Sequence, residues 1–198
     1  MNPWIALVGA RDGGRAVAAH DVLATLRGAG VRVGGFLQER ITRGDEVLGY
    51  DLIDLGGGAR VPLARPSPRP RICSWGFDES AFARAASWAQ RPADVTVIEA
   101  GRIEAAGEGH FPALLSTLRA SPRVVLVSLR PNVLASIALA LPDPADFVEL
   151  PAEPEEVQAL AQRCIDLVAT LSQKGEVPRQ GALSDAREKT ACGVRAEE

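Results

Sequence analysis

At 198 residues the chain is long enough for one domain with a real core. Its apolar content of 46% and charged content of 24% are ordinary for a soluble globular protein, and a net charge of −3 argues against general nucleic-acid or membrane binding. The start, MNPWIALVGA, lacks a basic leader region, and no apolar run reaches transmembrane length, so the expected location is the cytoplasm.

The first apolar run, residues 4–8, reads as a short buried strand. Gly9, Ala10, Arg11, Asp12, Gly13, Gly14, Arg15 and Ala16 follow it and lead into a helix over residues 16–27. Strand, glycine turn and helix form the setting of a phosphate-binding loop of pattern G-x-x-x-x-G-K-[ST]. Gly9 and Gly14 fit its glycines, but Arg15 stands for the lysine and Ala16 for the hydroxyl residue. Loop amides and a helix N-terminus favour an anion. Arg15 supplies positive charge, although its planar fork is not equivalent to an ammonium. Ala16 has no oxygen for Mg²⁺. Asp12 opposes a polyphosphate, and Arg11 partly offsets it. A glycine-rich turn that holds no ligand fits the same residues, and the loop alone leaves both readings open.

Further along, residues 31–38 read as a second strand and 39–46 as a polar connection containing Gly44. Residues 47–55 and 59–64 flank Gly56, Gly57 and Gly58, which predicts a β-hairpin. Pro66, Pro68 and Pro70 alternate with arginines in a stiff, solvated basic loop. Asp78 can cap a helix over residues 80–89. A strand at 93–98, a helix at 109–120 and a buried strand at 123–129, apolar on both faces, come next. A short helix (133–141), a short strand (146–150) and a long helix (155–171) complete the pattern.

From residue 172 to 198 the apolar period is lost, and a disordered C-terminal tail is expected there. Residues 1–171 alternate strands and helices, which predicts an α/β domain with three layers, a mainly parallel sheet and a small hairpin insertion. Cys73, Cys164 and Cys192 show no metal or disulfide spacing, and Cys164 reads as a packing residue. His20 and His110 build no catalytic constellation and read as structural, solvated or capping side chains, so no metal site is expected. Lysine occurs only at Lys174 and Lys189, and the arginine excess reads as the codon bias of a GC-rich, bacterial-type genome.

Several separated motifs then agree with one family. Gly35-Phe36, Glu39, Gly44 and the run Val47-x-Gly49-Tyr50-x-x-Ile53-Asp54-Leu55 resemble the THEP-type nucleoside-triphosphatases, a family of P-loop fold. So does the later run Ile98-Glu99-Ala100-Gly101-Arg102-Ile103-Glu104, with Phe111 after it and Trp75-Gly76-Phe77-Asp78 and Phe82 before it. The resemblance covers about residues 4 to 165 and leaves out the tail. It implies a nucleotide site of ATP or GTP type at Gly9 to Ala16, with Mg²⁺ accompanying the nucleotide and Glu99 and Glu104 as candidate catalytic carboxylates.

The departures from the family pattern point to a weakened site. The phosphate lysine is Arg15, the metal-holding hydroxyl is Ala16, and the strand-end acid is Ile98. Glu99 stands at the family's water-activating glutamate. A register shifted by one sets Glu99 at the metal-holding acid and Ala100 at the base, and either way one acidic role is lost. The expectation is therefore a protein that binds a nucleotide or another phosphate-like anion, with hydrolysis weak or lost. An active Mg²⁺-dependent nucleoside-triphosphatase and a non-nucleotide module for an anion or a protein in the same cleft are the alternatives.

Overall fold

The computed structural model describes residues 1–10, 14–120 and 123–175. In chain order the elements are β1 (Trp4–Val8), α1 (Arg15–Gly28), β2 (Val33–Arg43), β3 (Glu46–Asp54), β4 (Arg60–Pro66), β5 (Trp75–Phe77), α2 (Glu79–Gln90), β6 (Val95–Glu99), α3 (Arg102–Ala105), α4 (Phe111–Arg119), β7 (Val124–Leu129), α5 (Pro131–Ala138), β8 (Asp146–Glu149) and α6 (Pro154–Gly175). They build one eight-stranded sheet of order β5-β4-β3-β2-β6-β7-β1-β8. From β2 to β8 neighbouring strands run parallel; β3, β4 and β5 add an antiparallel meander beyond β2.

The parallel half follows from its apolar runs. β1 and β7 are buried along their whole length, because helices cover both faces. Side chains alternate at period two. Trp4, Ala6 and Val8 pack against α2, α4 and α5, while Ile5 and Leu7 pack against α1 and α6. Each fully buried large apolar side chain contributes roughly 1.5–3 kcal/mol, so these two clusters hold the three layers together. Asp78 caps α2 as the sequence suggests, accepting from the Ser80 N–H at 2.9 Å. Cys164 is fully buried between α6 and the sheet, and burial pushes its thiol up to about 12.

The antiparallel half departs from the sequence reading. Residues 39–43 are strand, not connection, since β2 continues to Arg43 and turns at Gly44 (φ 56°) into β3. Past Leu37, β2 leaves the helix-covered core and forms a ribbon with β3, where polar side chains meet water and need no apolar partner. The expected hairpin exists as β3 and β4, but it is one step of a four-strand meander in the main sheet. β5 and α3 are three and four residues long, too short to leave a period in the sequence. Gly35 (φ 87°) brings β2 against β6 so closely that a Cβ there would lie 2.0 Å from the Val97 carbonyl oxygen. That contact sets the ends of the two strands side by side.

The last helix runs to Gly175, past the expected end at 171. The remainder of the predicted tail, Cys192 included, lies outside the described residues, as do Arg11, Asp12 and Gly13. Among the described residues no helix is long and apolar enough to cross a membrane.

Candidate functional site

The carboxyl ends of β6 and β7, residues 37–40 of β2 and the start of α1 open into a cleft of about 610 Å³. Ligands of open α/β sheets bind at this edge. Gly9 follows β1, its N–H held by the Leu129 carbonyl at 3.0 Å. Ala10 is exposed beside it. Gly14 (φ 77°) is the N-cap of α1 and makes no side-chain cap, and the first turn of the helix has no acidic residue. The uncapped N–H groups there suit an anion. Ala16 lies on the cleft wall and offers only a methyl group.

Arg15 is 8% exposed and points at Glu99. Its Nη2 donates to Glu99 Oε1 at 2.7 Å, and its Nη1 donates to the Gly9 carbonyl at 3.4 Å. The other carboxylate oxygen of Glu99 accepts from the Gln38 N–H at 2.9 Å. One ion pair thus ties the start of α1 to the end of β6 and, through Gln38, to β2. Burial pushes the Glu99 carboxyl above its ordinary range, and the charge of Arg15 is the largest influence opposing it. The field of Arg130 acts in the same sense as that of Arg15.

Glu104 is placed differently. It is 4% exposed, and both its oxygens are taken by backbone: Oε2 by the Gly101 N–H at 2.6 Å and Oε1 by the His110 N–H at 2.9 Å. It closes the turn around α3 and lines a neighbouring cavity, not the cleft at Arg15. Burial raises its carboxyl as well. His110 is 1% exposed, contrary to the solvated or capping role its position suggests. Its ring lies against Phe36 and Phe82 with centroids 4.4 and 4.8 Å away, and neither ring nitrogen has a hydrogen-bond partner. Burial drops its pKa to about 3, so it is neutral at physiological pH. His20 is exposed on α1 and lines the cleft.

The described residues do not fit a protein-held Mg²⁺. That ion takes hard oxygen ligands in octahedral geometry. Ala16 has no oxygen, and Ile98 is fully buried facing α2 and α4. Glu99 already spends both oxygens on Arg15 and Gln38. Among the described residues no group of three or more His, Cys, Asp or Glu side chains converges to hold a metal.

What the cleft holds instead is guanidinium. Arg15, Arg40, Arg60 and Arg130 line it, against Glu39 and Glu99. The local balance is positive in a chain whose net charge is −3. Arg40, Arg60 and Arg130 carry no motif, and sequence reasoning missed them. Arg130 had one available signal, its place directly after the carboxyl end of a parallel strand. Arg40 and Arg60 reach the cleft only because the meander folds back beside it.

Comparison with known proteins agrees with this fold. A family profile described as NTPase matches residues 4–141. The human cancer-related nucleoside-triphosphatase is 30% identical over 142 residues, which span 64% of this chain and 74% of that protein. The solution structure of a human cancer-related nucleoside triphosphatase matches with a TM-score of 0.64 at 21% identity, covering 85% of this chain and 98% of that one. The crystal structure of THEP1 from the hyperthermophile Aquifex aeolicus matches with a TM-score of 0.59 at 18% identity, covering 83% and 98%. These two structures share the fold, and the profile match extends over most of the sequence. The chain belongs to the THEP-type nucleoside-triphosphatase family.

Proposed function

We propose that the cleft binds a nucleotide of ATP or GTP type, or another phosphate anion, and that hydrolysis is weak or lost. The observation that carries this reading is the Arg15–Glu99 pair at 2.7 Å. A group able to grip phosphate and a group able to activate water are joined to each other, with side chains only 10% and 13% exposed. Phosphoryl transfer depends on positioned charge at the phosphates and on an oriented nucleophile. In this arrangement Arg15 must leave Glu99 to meet a phosphate, and Glu99 keeps the Gln38 N–H. The exchange of one anion for another around Arg15 costs less than removing either partner outright.

The same residues support binding without a metal. Arg15, Arg130 and the first turn of α1 neutralise phosphate charge that a hydrated Mg²⁺ would otherwise meet. Thermal shift with ATP and GTP, run in EDTA and in Mg²⁺, tests this. Ligand at about 100-fold its Kd stabilises by about 2.7 kcal/mol. The expected result is stabilisation of similar size in both buffers, with little phosphate release in Mg²⁺. Robust Mg²⁺-dependent turnover that Glu99→Gln abolishes would establish the active enzyme instead. No response to any nucleotide or phosphate, unchanged by Arg15→Ala, would leave a structural turn.

A further inference from the structure

We infer that a second cavity, adjoining the phosphate cleft, is a binding site for a planar aromatic ring of nucleobase type. The cavity has a volume of about 230 Å³ and lies between the meander and the segment from α2 to α3. An apolar cavity of about 150 Å³ already admits a benzene-sized ring. Tyr50, Trp75, Phe77 and Phe82 line it. These are four of only nine aromatic residues in the chain, so their convergence is not a consequence of an aromatic-rich core.

All four are half-buried, packed against the core on one side and open to the cavity on the other. They stand in two pairs. Tyr50 meets Trp75 edge-on with centroids 5.3 Å apart, and Phe77 stacks on Phe82 at 6.0 Å and 25°. Such pairs present ring faces and edges of fixed orientation, which is what a planar ligand stacks on. The polar complement is small: Gln38, Arg102, Glu104 and Arg130, with both Glu104 oxygens already taken by backbone N–H groups. A mostly apolar pocket with a few convergent polar groups is the ordinary form of a small-molecule site.

Contiguity gives the ligand its second half. Gln38, Tyr50, Gly101 and Arg130 line both this cavity and the phosphate cleft. A ring in the cavity therefore lies beside phosphate in the cleft, with Arg130 between them. The choice of a nucleobase rests on the nucleotide reading above; the existence of a ring site does not. The ring is either the base of the phosphate-bound nucleotide or a second ring-bearing molecule, and the stacking chemistry is the same.

Tryptophan fluorescence reads the site directly, because Trp4 and Trp88 are 1% and 4% exposed while Trp75 faces the cavity. Adenosine and guanosine, which carry no phosphate, should quench it saturably. Trp75→Leu should weaken nucleoside binding, followed by calorimetry, by about tenfold, within the worth of one base–aromatic stack. Trp75→Phe should restore most of it. Sodium tripolyphosphate should bind all three proteins alike. Cys73 gives a readout that leaves the aromatic wall intact. It is exposed and lines the cavity, whereas Cys164 is buried. In a Cys192→Ser protein, nucleoside should slow alkylation of Cys73. If saturating tripolyphosphate leaves nucleoside binding intact and ATP competes with both, the ring belongs to the same nucleotide; if ATP competes with tripolyphosphate alone, it belongs to a second molecule. Nucleosides that neither quench Trp75 nor protect Cys73, or that bind wild type and Trp75→Leu equally, would overturn the ring site. Loss of tripolyphosphate binding alone would overturn only the phosphate reading.

Discussion

The two halves of the sheet divide the work unequally. The parallel half holds the frame of the proposed phosphate site: the β1 end, the Gly14 turn, the α1 N-terminus and the β6 end. Yet two of its positions, Ala16 and Ile98, carry no polar group, and a third, Glu99, is engaged with Arg15. The antiparallel half holds none of the frame and supplies Arg40, Arg60, Tyr50 and Trp75 to the open space above it. The strand ends of that frame are kept by core packing, which tolerates little change, whereas Gly14 and Ala16 are exposed. Ribbon side chains face water or a cavity on at least one side and can change without unfolding the domain. Under the proposed reading, Arg40, Arg60, Tyr50 and Trp75 lie where substitution is cheap.

The sharpest way to break that comparison is to put an acid back at the strand end. Ile98 is fully buried among apolar side chains beneath α2 and α4. Ile98→Asp would bury an unpaired carboxylate there and lose the packing as well. We expect a loss of about 4 kcal/mol or more, by urea unfolding, enough to prevent folding at 37 °C. A stable Ile98→Asp protein that gained Mg²⁺-dependent hydrolysis would show that the frame is still a working site.

Arg15→Ala comes next. It orphans Glu99, whose side chain is 13% exposed, and removes the charge at the helix N-terminus. Breaking a buried pair costs about 3–5 kcal/mol; the residual exposure places the expected loss near 3. Glu99 has an escape, because burial already holds its carboxyl above the ordinary range. Protonation relieves the orphaned charge, so the deficit relative to wild type should shrink as the pH falls toward 5. Phosphate binding should fall with it. A deficit independent of pH would mean that Glu99 is not the group left behind.

The parallel half was legible in the sequence because its signals are periodic. Residues 4–8 and 124–127 are apolar throughout, and α6 repeats its apolar face over many turns. Asp78 announced its helix by side-chain chemistry. Arg15 and Glu99 were both singled out by motif and line one cleft, whereas Gly9 and Gly14 do not line it. The Arg15–Glu99 contact was not legible, since 84 residues separate the partners and only the sheet order brings them together. The meander was half legible for a related reason. A ribbon wet on both sides of residues 39–43 carries no hydrophobic alternation, so it reads as a connection. Glu104 was recognised by motif, but its commitment to two backbone N–H groups depends on the path of the loop from α3 to α4.

His110 lies between the two halves and gives an effect of middle size. Its folded pKa of about 3 lies well below the ordinary 6.5, because burial disfavours the imidazolium. The unfolded chain therefore binds the proton first. The stability tied to the neutral ring is complete above pH 6.5 and is lost as the pH falls from 6.5 toward 3. At pH 5 the loss is about 2 kcal/mol. His110→Leu removes this dependence and two unpartnered ring nitrogens, at little or no cost near pH 7.5. Urea unfolding of both proteins at pH 7.5 and pH 5 measures it. The raised carboxyls of Glu99 and Glu104 act in the opposite sense, but they are common to both proteins and cancel in the difference. Equal pH profiles would mean that the imidazole titrates normally in the fold.

The smallest effect should come from Arg60, in the antiparallel half. Its side chain is 48% exposed and pairs with Glu39, which is 50% exposed, and with Asp51 at 3.6 Å. Exposed pairs of this kind contribute about 0–1 kcal/mol. Arg60→Ala leaves Asp51 still paired, since Arg65 Nη2 donates to it at 2.5 Å. The melting temperature should therefore barely move. Tripolyphosphate affinity should fall by less than about fivefold at low salt, because one partly solvated charge leaves the cleft. The deficit should fade as ionic strength rises past the point where the Debye length falls well below 10 Å. Arg15→Ala should keep its binding deficit in the same salt, because its charge sits in a pocket that ions screen poorly. An Arg60→Ala protein that lost stability on the scale of Arg15→Ala would place the ribbon in the structural core, and the division between the two halves would fail.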